Sequence, residues 1–217
     1  MRETRAEYFN NIGYLKHTFA EEELSFLRKE VNDIKMDFTA HIDDLANKKL
    51  AGNIEHEYDL HKSVSKLEDL LFPFFNIFNE EFKYMNDIKL MTDDVPIILS
   101  QSWVNFQKKT EFNPVHNHSG IVSFTLYLDV PYDIEDEKKL ASSVNSNSNV
   151  PGHFSFFYTN SMGHIIPEVI PVDKKYRNVL LMFPSKMMHC VYPFYTSDEY
   201  RISVSGNFSL DTFNLRR

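Results

Sequence analysis

The run His116-Asn117-His118-Ser119-Gly120-Ile121-Val122-Ser123-Phe124-Thr125-Leu126-Tyr127-Leu128-Asp129-Val130 carries two signals that decide how the chain is read. From Ile121 onward the period is two. Ile121, Ser123, Thr125 and Tyr127 fall on one side of an extended chain, and Val122, Phe124, Leu126 and Leu128 on the other. Ahead of that strand, His116 and His118 are two residues apart, so in an extended segment both imidazoles face the same way and can meet one ion.

The same period continues on both sides. Strands are expected over 97–106, 121–130, 153–159, 168–172, 178–183, 189–194 and 200–208, each short, rich in β-branched and aromatic residues, and bounded by Pro, Asn, Ser or Gly. Seven or eight such strands suggest a sandwich or jelly roll. Toward the N-terminus the period becomes helical. Thr18 and Glu21 have the spacing of a capping box, and Leu24, Leu27, Val31 and Ile34 follow at helical intervals. A second helix is expected over about 63–87, with Leu71, Phe74, Phe75, Phe78, Phe82 and Met85 on one face and a kink or start at Pro73. The fold class is therefore α+β and mainly β, with N-terminal helices packed on one sheet. One domain over 1–217 is expected, with 1–95 a mainly helical support region and 96–217 the jelly-roll core. The stretch 132–152, acidic and then Ser/Asn-rich, reads as a surface loop or as a lid beside a site.

Composition narrows the partners. The chain has 217 residues, 42% of them hydrophobic, which is ample for a core. Its net charge of −8 argues against a nucleic-acid backbone as the main partner. The single cysteine, Cys190, allows no internal disulfide. No apolar run approaches the roughly 20 residues that cross a bilayer, and residues 1–8 lack the apolar core of a signal peptide. A cytoplasmic protein with no membrane partner is expected.

Of the nine histidines, His17, His41, His153 and His164 have no partners nearby in sequence and suit surface or structural roles. His56 and His61 are five apart, where a zinc-protease helix needs four, so that chemistry is rejected. His189 opens a strand after the turn Phe183-Pro184-Ser185, and Arg201 and Ser203 share one face of a later strand. An arginine in so apolar a strand calls for a partner, and its planar fork suits a carboxylate. Cys190 points away from His189 and reads as a small core residue.

Taken together, Ser102-Trp103-Val104-Asn105, His116-Asn117-His118-Ser119-Gly120, Ser123 to Leu128, Phe183-Pro184-Ser185, His189 and Arg201-Ile202-Ser203 resemble the 2-oxoglutarate/iron(II) oxygenase superfamily. The branch is the prolyl-hydroxylase-like one, with phage and bacterial proteins of unassigned substrate. The resemblance covers about the C-terminal half. It implies a double-stranded β-helix (jelly-roll or cupin-like) and a hydroxylase-like dioxygenase using Fe(II), 2-oxoglutarate and O2 on an unidentified small molecule or peptide. His116 and His189 match two metal ligands. Arg201 matches the anchor of the distal 2-oxoglutarate carboxylate, helped by Ser203, with Tyr127 and Asn105 lining the same pocket. The chain departs from the family at His118, where an aspartate or glutamate is usual; either His118 is a third imidazole ligand, which leaves the site one unit more positive, or it stands behind the metal and a water takes that place.

Two other readings share the barrel. A three-histidine cupin enzyme would need no 2-oxoglutarate and leaves Arg201 unexplained. A non-catalytic jelly-roll binding module leaves the histidines unexplained. The segment Leu50-Ala51-Gly52-Asn53-Ile54 is loop-like, and reads either as a plain turn or as a reach toward the barrel mouth.

Overall fold

The computed structural model of the protein describes residues 11–88, 95–140 and 144–212; residues 1–8 and the part 141–143 of the stretch 132–152 lie outside them. Ten strands form two antiparallel sheets. They are β1 (Leu15–Thr18), β2 (His56–Asp59), β3 (Ile97–Gln107), β4 (Asn113–His116), β5 (Val122–Asp129), β6 (Phe154–Thr159), β7 (Ile165–Ile170), β8 (Val179–Pro184), β9 (Met188–Val191) and β10 (Arg201–Leu210). The six-stranded sheet has the order β1-β8-β5-β10-β3-β2, and the four-stranded sheet β4-β9-β6-β7. This is a jelly roll, α+β and mainly β.

Two helices cover the outer face of the larger sheet. In α1 (Ser25–Met36) Leu27, Val31 and Ile34 are buried, and in α2 (Val64–Phe82) Leu67, Leu71, Phe75 and Phe78 are. These stripes share one core with Val104, Phe106, Leu126, Met182, Val204 and Phe208 of the sheet. The residues between them in sequence turn inward, where Tyr127, Val179, Leu181 and Phe183 pack with Phe154, Phe156 and Ile170 of the smaller sheet. One strand thus serves two cores by simple alternation.

Several expectations change. The capping box does not form. Thr18 closes β1, the Ala20 N–H goes to Glu23 (2.8 Å), and Glu21 instead receives Arg28 and Arg177. Pro73 neither starts nor ends α2, which stops at Lys83, whose φ of 53° is left-handed. The first 95 residues also contribute β1 and β2. The described residues of 132–152 do not form a free loop, because Tyr132 and Glu137 are buried, and Glu137 accepts the N–H groups of Tyr195 and Thr196. Among the described residues no helix is long and apolar enough to cross a membrane.

Candidate metal centre

His116 ends β4 and pairs across the ladder with His189 of β9. His118 lies just beyond, held by its backbone N–H on the Ser185 carbonyl (2.8 Å). One ligand atom from each of the three rings can be chosen so that all lie within 4.8 Å of one another. Ring centroids are 4.3 Å apart for His116–His189 and 5.0 Å for the other two pairs. Phe154 stacks on His189 at 5.5 Å, and Trp103 lies 5.6 Å from His118.

The hydrogen bonds select which nitrogens face inward. His116 Nδ1 lies 2.7 Å from the Pro114 carbonyl, and His189 Nδ1 lies 2.8 Å from that of Met187. A carbonyl only accepts, so each Nδ1 carries the proton and each Nε2 keeps its lone pair. Burial lowers the His116 pKa, pushes His118 down to about 4 and pushes His189 down to about 3. All three rings are neutral at pH 7. A set of neutral imidazoles suits iron(II) and other first-row divalent metals.

The cavity over these rings is also lined by Trp103, Asn105, Gln107, Tyr127, Arg201 and Ser203. Asn105, Ser203 and Tyr127 stand side by side on β3, β10 and β5, and Asn105 Nδ2 donates to Ser203 Oγ (3.3 Å). The Tyr127 hydroxyl is buried with no hydrogen-bond partner. Arg201 is 1% exposed, so it does not face water. Its partners differ from the expected carboxylate. Nε and Nη2 donate to Gln107 Oε1, Nη1 to the Tyr132 hydroxyl and the Gly152 carbonyl (3.0 Å), and Nη2 also to the Tyr192 carbonyl (3.2 Å). The guanidinium is fully hydrogen-bonded, yet none of these partners is an anion.

The seven residues singled out from sequence therefore line one cavity. Gln107 and Tyr132 were missed. Gln107 continues the alternation of Trp103 and Asn105, a signal that was available, whereas nothing local marks Tyr132. The other histidines stay apart. His153 is buried with Nδ1 on the Pro151 carbonyl (2.8 Å), His56 stacks on Phe38, and His61 meets Asp44 at 3.1 Å. Cys190 is buried, as expected of a core residue.

The donors present fit both implied groups. Three imidazole nitrogens offer a metal site, and a buried cation without an anion, beside an orphaned hydroxyl, offers a place for a dicarboxylate.

Residues 101–207 match the protein family described as "Putative 2OG-Fe(II) oxygenase". Among curated proteins, none matches the sequence. The structure is similar to a prolyl-4-hydroxylase from Pseudomonas putida, with a TM-score of 0.51 and 12% identity over 91% of this chain and 92% of that one. It is similar to AviO1 from Streptomyces viridochromogenes Tue57, with a TM-score of 0.52 and 11% identity over 94% and 92%. It also resembles EvdMO1, with a TM-score of 0.53 and 14% identity over 93% of this chain but 48% of that protein, of which it spans about half. At such identities the likeness is one of fold. Over residues 101–207, just under half of the chain, the sequence is thus similar to the 2-oxoglutarate/iron(II) oxygenases.

Proposed function

We propose that the protein is an Fe(II)/2-oxoglutarate-dependent dioxygenase of hydroxylase type, with His116, His118 and His189 as its metal ligands. The observation that carries this is the convergence of three neutral imidazoles in a cavity that also holds the buried Arg201. Iron with 2-oxoglutarate and O2 supplies the oxidising power that couples 2-oxoglutarate decarboxylation to oxidation of a substrate C–H bond.

The chain's own groups do the rest. The Pro114 and Met187 carbonyls hold His116 and His189 in the tautomer that presents Nε2. Arg201 receives the distal carboxylate, which takes over the N–H groups now accepted by Gln107 Oε1. Tyr127 donates its free hydroxyl to the same carboxylate, and Ser203 and Asn105 line its path. Phe154, Phe183 and Val191 wall the cavity with apolar surface and keep water from the reacting centre.

Anaerobic titration with iron(II) and then 2-oxoglutarate tests the assignment through the weak visible charge-transfer band of the ternary complex. The band is expected in the wild-type chain, and His189→Ala should lose both metal binding and band. Full iron affinity in that variant would overturn the ligand set. The saturation of Arg201 by neutral partners favours one second reading, a three-histidine metalloenzyme that does not use 2-oxoglutarate. Tight metal binding without the band would select it, and absence of metal binding would select a binding module.

A further inference from the structure

The row of side chains that ends on Tyr127 begins at Glu57, since β2, β3, β10 and β5 align Glu57, Asn105, Ser203 and Tyr127 in register. Directly paired residues project to one face of a sheet. Glu57 is therefore turned to the side on which Asn105 lines the metal cavity. It is 1% exposed, and its Oε2 is buried with no hydrogen-bond partner. The charge it feels is that of another acid, Glu111, which adds to the effect of burial in raising its pKa.

Two more acceptors beside it are in the same condition. Asn105 Oδ1 is orphaned, its amide nitrogen being engaged by Ser203, and Asn113 Oδ1 is orphaned as well. Gly52 makes room for the group, because a β-carbon there would collide with Asn113 Oδ1 and sit 2.7 Å from Glu57 Oε1. Ile54 and Asn113 belong to the same cavity wall as His116. The segment around Gly52 thus does reach the barrel mouth, where Asn53 bridges to Phe112.

A buried carboxylate with no donor is costly, and so is each buried carbonyl left unpaired. Three unpartnered acceptor atoms gather at the β2 end of the row, while the Tyr127 hydroxyl and Arg201 supply donors at the other. Three strand spacings separate the ends, roughly 14 Å, so a group held at one end does not touch the other. We propose that the lobe formed by Glu57, Asn105 and Asn113 binds an organic ammonium group, the cationic end of the substrate. The proposal rests on the oxygenase reading only in calling that ligand a substrate. A hard divalent ion fits less well, since it seeks six or more oxygens and the lobe offers three side chains.

The test is an NMR titration of the full metal-free chain with n-butylammonium chloride and, separately, with 1-pentanol, an uncharged probe of similar length. Saturable shifts at Gly52 and at the side-chain amides of Asn105 and Asn113 are expected with the amine, and binding at least about tenfold weaker with the alcohol, as for a lost charged hydrogen bond. Glu57→Gln should weaken amine binding by a similar factor. So should Gly52→Ala, which keeps the carboxylate but fills the lobe. Equal binding of amine and alcohol overturns the proposal, as does the absence of saturable shifts; both are read on the wild-type chain and depend on no variant. Glu57-dependent shifts produced by calcium chloride at lower concentration than by the amine would reassign the lobe to a metal ion and equally overturn it. The iron–2-oxoglutarate band of the wild-type chain is measured separately. Amine binding without the band would sink the oxygenase reading alone, and the band without amine binding would sink the ammonium lobe alone.

Discussion

On the helix side of the six-stranded sheet, Val104, Phe106, Leu126, Ile202 and Val204 pack against α1 and α2. On the opposite side the same strands present Asn105, Gln107, Tyr127, Arg201 and Ser203 to the cavity. Neighbouring residues in one strand thus meet opposite environments. The apolar face can offset the cost of burying polar groups on the other, so stability and chemistry are open to separate mutation. Arg201 marks the limit of that separation. It belongs to the cavity face, yet it ties together Gln107 of β3, Tyr132, Gly152 and Tyr192.

The largest effect is therefore expected at Arg201. Replacing it by alanine takes the arginine donor from Gln107 Oε1, the Tyr132 hydroxyl and the Tyr192 carbonyl and leaves the Gly152 carbonyl with the Tyr132 O–H alone, a loss of about 3–5 kcal/mol in urea unfolding, besides a raised 2-oxoglutarate requirement. Arg201→Lys should restore part of the stability. An alanine variant as stable as wild type would show that the guanidinium serves the cavity alone. On the other face, Leu126→Ala should cost about 3 kcal/mol through lost burial and a residual cavity. The iron affinity of its folded fraction should not change. A parallel fall in metal affinity would break the contrast between the faces.

The cavity edge should give a third effect, readable through pH. Burial, with Glu111 adding, pushes the Glu57 carboxyl up to about 7 from its ordinary 4.5. The folded chain then keeps a proton that the unfolded chain has released, so the stability linked to it is complete below pH 4.5 and is lost as pH rises through about 7. Between pH 4.5 and 8 the metal-free wild type should lose up to about 3 kcal/mol that Glu57→Gln does not. Equal pH profiles for the two proteins would show that this carboxyl is neither desolvated nor alone.

What could be read from sequence follows the same division. The alternation of β5 and β10 and the helical stripes of α1 and α2 were legible, because each buries a continuous apolar set against one partner layer. The three histidines were legible because His116 and His118 are spaced to face one way in an extended segment and His189 follows a turn into the strand that pairs with β4. β1 and β2 were not, being four residues each (LKHT and HEYD) and too short and polar to show a period. Expected over 168–172, β7 instead runs Ile165–Ile170 across Pro167, which it tolerates as an edge strand that needs no ladder donor there. The partners of Arg201 come from residues 107, 132, 152 and 192, and no local pattern announces a contact over such separations. The failed capping box has a similar cause. Glu21 had the right spacing, but two arginines from elsewhere in the fold hold its carboxylate.

The smallest effect is also the most discriminating. The Tyr127 hydroxyl is buried without a partner, and burial raises its pKa, so it stays a donor throughout the working pH range. Tyr127→Phe keeps the ring, removes an unpaired polar group, and should leave the ligand-free protein as stable as wild type or about 1 kcal/mol more so. With 2-oxoglutarate the sign should reverse, since a hydroxyl that donates to a carboxylate contributes what the phenylalanine cannot, about a tenfold loss of affinity. A purely structural tyrosine would move stability and affinity together, or neither. Opposite movement of the two, read by urea unfolding and by the charge-transfer titration on one pair of proteins, would mark the cavity face as built for its ligand at the expense of its own stability.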